Sequence, residues 1–404
     1  MGDENSTFYA GVDWGEEHHQ LCVVDDRGQR RAQEQVSHDV TGLARLRSQL
    51  LRFGPGLPVA IERSEGLLVE HLQAHGHPVY PVSPRIAARA RERYKVASVK
   101  DDRFDAYVLA DTLRFEHQGW RPLSVPSPVL AEIKALTRDR DRLLETQQAI
   151  ESQLRMILES YHPAPARLFS SVDRQITLSF LLDYPTPATA SRVKATRMSG
   201  FLTRHHYTGR TSGQVLAERM RANLLTGSAG TVAGKSFSAQ SYARLLGLLN
   251  SQLAEYDDAI ASAVSEHPDA PIFASFPGVG PVLTGILLAE IGEDRGRYPD
   301  PAVLLAEAGL APVTRASGRS HIVRFRYAAN AHLREACMWW AFNSMKTSPW
   351  AAAAFKQARE DRKQHYHRAL RGLAARWTRI LWRCWQDGTT YYPHRHTSAA
   401  ALTA

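Results

Sequence analysis

Cysteine is scarce in this sequence: Cys22, Cys337 and Cys384 are the only three, far apart and without metal-binding spacing. That excludes a disulfide framework and a structural zinc site, and it suits a reducing cytoplasm. Long apolar runs are missing as well. No stretch reaches the roughly eighteen apolar residues from which a membrane span is read, so no membrane partner is expected. The amino-terminal MGDENSTFYA lacks a basic region followed by an apolar segment, and no secretory signal is expected. Acidic residues are few in the C-terminal region. Between Arg315 and Arg383 fifteen Lys and Arg face three Asp and Glu, a local +12, while the remaining chain holds 35 basic and 38 acidic residues, or −3. The formal +9 of the whole chain is therefore concentrated toward the C-terminus, as in a surface that neutralises phosphates.

What is present is a chain of 404 residues with 44% hydrophobic content, enough for two or three domains with proper cores. Residues 8–28, FYAGVDWGEEHHQLCVVDDRG, predict a strand from Tyr9 to Asp13, a tight turn through Gly15 and a second strand from Gln20 to Val24. A helix from Asp39 to Phe53, the strand LPVAIE, a helix from about Leu67 to His75, the strand PVYPVS and a long basic helix follow. Alternating strands and helices of this kind predict an α/β domain with a mixed sheet over 1–122.

From Val129 to Tyr161, Val129, Ile133, Leu136, Arg140, Leu143, Gln147, Ile150, Leu154, Ile157 and Tyr161 recur at alternating spacings of four and three. That is a heptad seam, with Arg140 and Gln147 as polar interruptions that can set register. A second seam runs through Leu246, Leu249, Leu253, Tyr256, Ile260 and Ala263. The two predict long coiled-coil helices in 123–270, paired either within the chain or between protomers. Residues 163–235, Pro/Thr-rich at the start and Gly/Ser-rich at the exit, predict a small helical insertion between them. The region 271–404 opens with FPGVGPVLTGILLAEIG. This resembles the hairpin of a helix-hairpin-helix element, in which Gly278 and Gly280 would let backbone N–H groups approach a phosphate; a plain glycine turn between core helices is the alternative.

Four carboxylates carry the chemistry. Asp13 ends an otherwise apolar strand, where a buried carboxylate is normally neutralised, paired or metal-bound. Glu62 ends the strand VAIE. Asp102 and Asp105, in SVKDDRFDAYVLA, are three apart and share one helix face, with Cβ atoms about 5–6 Å apart. Together the four suit two Mg²⁺ ions about 3.5–4 Å apart acting on a phosphodiester. Taken singly, Asp13 can cap a turn, Asp102 and Asp105 can form a solvated face paired with Lys100 and Arg103, and Asp101 competes with Asp102. GVDWG is also similar to the phosphate loop of sugar kinases and actin-like ATPases. There Glu16 and Glu17 would repel a triphosphate.

GVDWGEEHHQLCVVDDRG, AIERS and VKDDRFDAYVLA, in this order, resemble the RuvC-like DEDD domain of a group of bacterial insertion-sequence transposases, the bridge-RNA-guided recombinases. SFPGVGPVLTGILLAEIG, GLAPVTRASGRS and ANAHLREACMWWAF resemble the same family's C-terminal domain. The resemblance spans nearly the whole chain. It implies an α/β RNase H/RuvC-like N-terminal domain, long coiled-coil helices and a mostly α-helical C-terminal domain. Asp13, Glu62, Asp102 and Asp105 match the family's acidic positions, which implies Mg²⁺. Ser317 matches its nucleophilic serine, which implies attack on a DNA phosphodiester and a covalent phosphoserine link. The partners implied are donor and target DNA, a structured noncoding bridge RNA, and a second copy of the chain, with a tetramer when two DNAs are joined.

Read without that resemblance, a serine before a glycine is a turn residue, and Ser320 is a nearby competitor. Arg315, Arg319, Arg324 and Arg326 surround Ser317 in the sequence and are candidates to hold the scissile phosphate. Farther on, Leu333, Cys337 and Trp340 predict a core-facing helix. The Arg-rich helix bearing Tyr366, Trp377, Trp382 and Trp385 suits backbone contact and base stacking, although most of these tryptophans fit a core better. The histidine pairs His18/His19, His365/His367 and His394/His396 read as surface or phosphate contacts. No base-reading helix is evident, which agrees with delegating specificity to RNA. Two readings compete with the recombinase: a metal-dependent nuclease resembling a junction resolvase, which needs only the carboxylates and water, and a non-catalytic nucleic-acid-binding protein.

Overall fold

Strand β1 (Tyr9–Asp13) is buried along almost its whole length, and it lies at the centre of a five-stranded mixed sheet ordered β3-β2-β1-β4-β5. It pairs antiparallel with β2 (His18–Val24) and parallel with β4 (Val59–Ile61), while β3 (Arg30–Ser37) and β5 (Val79–Pro81) form the edges. Successive side chains of a strand point to opposite faces, and here both faces are apolar. Val12, Leu21 and Ile61 join Leu46 and Leu50 of helix α1 (Val40–Leu51) and Leu68 and Leu72 of α2 (Leu67–Ala74) in one core. Tyr9, Cys22 and Ala60 join Ala87 of α3 (Pro84–Glu92) and Leu109 and Leu113 of α4 (Asp102–Glu116) in another.

The computed structural model describes residues 7–94, 101–317 and 320–394. It divides into two units, 1–125 and 126–404. The first is the mixed α/β unit expected from the sequence and is consistent with a RuvC-like domain. It differs in one strand and one helix. RRAQEQVS forms β3, which the sequence reading passed over, because an edge strand with only Val36 buried carries too few apolar side chains to register as a strand. The single long basic helix is instead two helices, α3 and α4; Lys100, between them, lies outside the described residues.

In the second unit Ser127 caps α5 (Pro128–Tyr161) by accepting from Leu130 N. A matching helix, α11 (Ala229–Glu266), runs antiparallel to it within the same chain. The polar interruptions do pair across the two helices. Gln147 Nε2 donates to Asn250 Oδ1 at 2.5 Å, and Arg140 Nε lies 2.5 Å from Asp257 Oδ1. The buried face of α5 is broader than the seam, since Leu130, Thr137 and Leu158 are buried where Val129, Leu136 and Ile157 were expected. Between α5 and α11 lie five short helices, α6 (Ala164–Leu168), α7 (Gln175–Asp183), α8 (Pro187–Ala190), α9 (Ala195–Arg204) and α10 (Gly213–Ala222). They share a small core around Phe180, Phe201 and Met220.

The rest of this unit is helical apart from one hairpin. After α12 (Ala270–Ala274), α13 (Pro281–Ile291) and α14 (Pro301–Glu307) comes a two-stranded antiparallel sheet, β6 (Val313–Ser317) and β7 (Ser320–Arg324). Helices α15 (Ala331–Thr347), α16 (Pro349–Glu360) and α17 (Tyr366–Asp387) complete it. Leu333, Cys337, Trp340, Trp377 and Trp385 are core residues. The indole N–H groups are satisfied inside: Trp377 donates to Ser344 Oγ at 2.9 Å, Trp385 to Asp269 Oδ2 at 2.8 Å and Trp382 to the Tyr298 carbonyl at 2.7 Å. These tryptophans therefore hold the helices together rather than present stacking faces. Among the described residues no helix is long and apolar enough to cross a membrane.

Gly278 sits at φ +78, and a Cβ there would lie 2.6 Å from Ser344 N. The backbone of α15 thus accounts for this glycine by close packing, without a phosphate. Gly280, the residue before α13, has open space around the same position and φ −93. Gly278→Ala is expected to cost about 2–4 kcal/mol, combining overpacking with a left-handed backbone. Gly280→Ala should cost under about 1 kcal/mol. Tryptophan-fluorescence denaturation of the two variants measures the difference.

Candidate active site

Three elements bring the acidic residues together. β1 and β4 are parallel, with Val12 opposite Ile61, so Asp13 and Glu62 follow one another at the same end of adjacent strands. Helix α4 packs against β1 so closely that a Cβ on Gly11 would fall 2.2 Å from the Ala106 carbonyl oxygen and 2.4 Å from Ala110 N. Only glycine permits that approach, and it brings the first turn of α4, carrying Asp102 and Asp105, toward Asp13. Asp101 caps α4, its side chain accepting from Arg103 N at 3.1 Å, and it is Asp102 whose charge bears on Asp13.

Asp105 is buried, Asp13 and Glu62 are half-buried, and Asp102 is exposed. Burial first, and then the negative charges of Asp105, Asp102 and Glu62, together push the Asp13 carboxyl up to about 6. Arg91, from α3, opposes them. Its Nε lies 2.6 Å from Asp105 Oδ1, and its Nη2 donates to Glu62 Oε1 at 3.0 Å. Among the described residues no three His, Cys, Asp or Glu side chains already close on a single point as a metal would require. The donor chemistry nevertheless fits: hard carboxylate oxygens in anionic surplus are the ligands that Mg²⁺ takes.

Ser317 belongs to the other unit. It is exposed at the end of β6 and is in register with Ser320 of β7. Arg319 and the side chain of Arg315 lie outside the described residues. Arg324 and Arg326 do not surround Ser317. Arg324 pairs with Val313, at the opposite end of the hairpin; at about 3.4 Å per residue that is roughly 14 Å away along the strand. Arg326 lies beyond it and donates from Nε to the Ala311 carbonyl at 3.2 Å.

The sequence reading missed Arg91 and Gly11. Nothing in PRIAARARE separates Arg91 from the arginines beside it, because an ion pair 29 residues away from Glu62 leaves no local trace. Gly11 had a signal, a glycine inside a buried strand, which marks a close backbone approach. The histidine reading also needs correction. His19 is fully buried, bonded to His38 Nδ1 at 2.7 Å, and held down to about 4 by burial and then by the charges of His38 and His18. His365 and His367 are exposed, and His396 lies outside the described residues.

Asp13 and His19 have opposite consequences for stability. Asp13, raised to about 6, favours the fold below the ordinary carboxylate range, and that contribution is lost as pH rises through 6. His19, lowered to about 4, favours the fold above its ordinary value near 6.5, and that contribution is lost as pH falls toward 4. In EDTA, Asp13→Asn should melt higher than the parent protein at pH 7 and lose stability more steeply between pH 6.5 and 4. Melting curves across that range test both signs, and superimposable pH profiles would contradict the clustering.

Residues 10–163 match the profile of the DEDD transposases of IS110, described simply as transposase, and residues 270–357 match the family described as transposase IS116/IS110/IS902. The chain is 36% identical over 399 residues to the mini-circle protein for IS117 of Streptomyces coelicolor, covering 96% of this chain and 95% of that one. It is 29% identical to the insertion element IS900 42 kDa protein of Mycobacterium paratuberculosis, across 97% and 99% of the two chains. To the IS116 44.8 kDa protein of Streptomyces clavuligerus it is 27% identical, across 97% and 98%. With an acidic α/β unit and a helical unit each matched by its own transposase profile, and similarity running from end to end, this chain belongs to the IS116/IS110/IS902 family of transposases.

Proposed function

We propose that this transposase cuts and rejoins DNA through a covalent bond to Ser317, with Mg²⁺ held by Asp13, Glu62, Asp102 and Asp105. The observation that carries the reading is the convergence on Asp13 of three other carboxylates from β4 and α4, at a cost to the unliganded protein that its raised carboxyl records. Such a cluster is favourable only with positive charge beside it. When bound, the divalent ion supplies that charge and polarises a phosphodiester.

The chain's own part begins with Ser317. Its Oγ forms a bond to phosphorus as the bond from phosphorus to one deoxyribose oxygen breaks. That oxygen leaves as a hydroxyl, carrying the proton the serine gives up, and one DNA end stays on the protein as a phosphoserine ester. Rejoining is the same exchange in reverse, with the hydroxyl of another DNA end as the attacking group. Exposure at the end of β6 leaves Ser317 open to a duplex. The proposed partners are donor and target DNA in the bacterial cytoplasm, a structured noncoding RNA that pairs with both, and further copies of the chain, two in a dimer and four when two DNAs are joined.

One observation favours a second reading. All four carboxylates and Arg91 lie in the first unit, 1–125, so hydrolysis by a junction-resolvase-like nuclease would need nothing from Ser317.

Two experiments test the proposal. Protein, the RNA encoded beside its gene, and labelled donor and target DNA are mixed with Mg²⁺, denatured and run on a gel. A DNA-linked protein band is expected, absent for Ser317→Ala; cleavage without adduct that survives the substitution establishes the nuclease instead. Separately, Arg91→Gln removes the cation that the cluster supplies to itself. In EDTA it should melt below the parent protein, and Mg²⁺ should raise its melting temperature by more than it raises the parent's. An equal Mg²⁺ response in both proteins, or none, would remove the acidic cluster as the ion's site.

A further inference from the structure

The arginines that fail to reach Ser317 go somewhere else. Behind the base of the β6–β7 hairpin is a pocket of about 420 Å³ whose lining includes Arg324, Arg326, Arg368 and Arg371. Arg334, from α15, reaches the same place and donates from Nη2 to the Arg326 carbonyl at 3.0 Å. Phe325 lies in the wall, with the guanidinium carbons of Arg334 and Arg371 at 4.8 and 5.1 Å from its ring centroid. Two glycines make the room. Gly309, at φ +61, would drive a Cβ to 2.5 Å from Arg334 Nη2, and Gly372 has nothing within 4 Å of where its Cβ would be.

What distinguishes this pocket is the absence of any compensating charge. Among the described residues, no carboxylate lies within ion-pairing distance of Arg324, Arg326, Arg334, Arg368 or Arg371, whereas Arg138, Arg140, Arg295, Arg297 and Arg383 of the same unit each have one. Arg334 Nε is buried without a hydrogen-bond partner. Half-buried Arg371 is held below the ordinary arginine range, first by burial and then by the charges of Arg368 and Arg334. Guanidinium groups gathered at such a cost, with donors left over, are arranged for an anion, and their planar forks match phosphate oxygens. Ring contacts with Phe325 explain two of the five arginines. Arg326 is tied by its bond to the Ala311 carbonyl, which leaves Arg324 and Arg368 in the lining, and the orphan Nε of Arg334, unaccounted for.

We infer that this pocket binds a backbone phosphate of nucleic acid, a docking point for a strand on the helical unit, separate in position from Ser317 at the other end of the hairpin. The assignment rests on the reading of the chain as one that handles nucleic acid, but on neither the serine nor the acidic cluster.

The test is carried out on the full chain in EDTA, so that cleavage plays no part. Binding of random-sequence duplex DNA and of single-stranded RNA is measured across a salt series for the parent protein, for R368Q/R371Q and for R368K/R371K. The glutamine pair should weaken binding on the order of tenfold and lower the slope of log affinity against log salt by about one for each phosphate left unneutralised. The lysine pair, which keeps the charge, should retain most of the slope. Inorganic phosphate should raise the melting temperature of the parent protein more than chloride of equal ionic strength, and should lose that advantage with R368Q/R371Q. No phosphate-specific stabilisation of the parent protein overturns the pocket as an anion site whatever the variants do. A phosphate response abolished in R368Q/R371Q while affinity and salt slope for both nucleic acids stay unchanged overturns it as a nucleic-acid site and leaves one for free phosphate. Failure of the serine adduct in the trapping experiment alters none of these readouts.

Discussion

The packing of α4 against β1 at Gly11 is the constraint on which the acidic unit depends. With no side chain at that position, the helix backbone comes within contact distance of the central strand, and its first turn is carried toward the end of the sheet where Asp13 and Glu62 emerge. Like charges brought together in this way oppose folding. The unit accepts that cost, and Arg91 offsets part of it by pairing with Asp105 and Glu62 at once. The apolar cores on both faces of the sheet, from Leu46 and Leu50 on one side to Leu109 and Leu113 on the other, supply the burial that makes this tolerable.

Charge elsewhere in the protein is handled in two contrasting ways. In the helical frame it is paired internally. Arg138 makes a two-pronged bond with buried Glu290 at 2.8 and 3.0 Å, and Asn330 closes the same carboxylate at 2.7 Å. Glu293 is held below the ordinary glutamate range, against the effect of burial, by two bonds from Ser127 and by His267. At the acidic cluster and at the arginine pocket charge of one sign is left over instead. Local violations of the pairing rule mark the places where a protein meets something outside itself. Here the surplus is negative at one and positive at the other, which fits a transposase acting on a polyanion with the help of a cation.

The long helices show the same division on a smaller scale. Gln147 and Asn250 satisfy each other, and Asn250 also donates to the Asp173 carbonyl at 2.8 Å, which ties the short-helix insertion to the α5–α11 pair. A polar pair in an apolar seam lowers stability slightly and fixes register, since any slip would bury both groups without partners.

Periodicity, composition and order made much of this legible beforehand. The strands β1 and β2, the face shared by Asp102 and Asp105, the two long helices with their polar interruptions and the C-terminal surplus of positive charge all follow from residues close together in the chain. An edge strand as polar as β3 does not, because its single buried valine leaves no alternation to see. Nor do partnerships between distant residues. Sequence did not show that Asp101 caps α4 or that Gly278 packs against the backbone of α15, and it placed Arg324 and Arg326 beside Ser317 where the antiparallel register sends them to the far end of a hairpin. Side-chain type and spacing are local quantities, and they determined which elements form and which charged groups each one carries. Which charges meet, and which are left unpaired, depends on contacts across tens to hundreds of residues, and only the tertiary structure decided that.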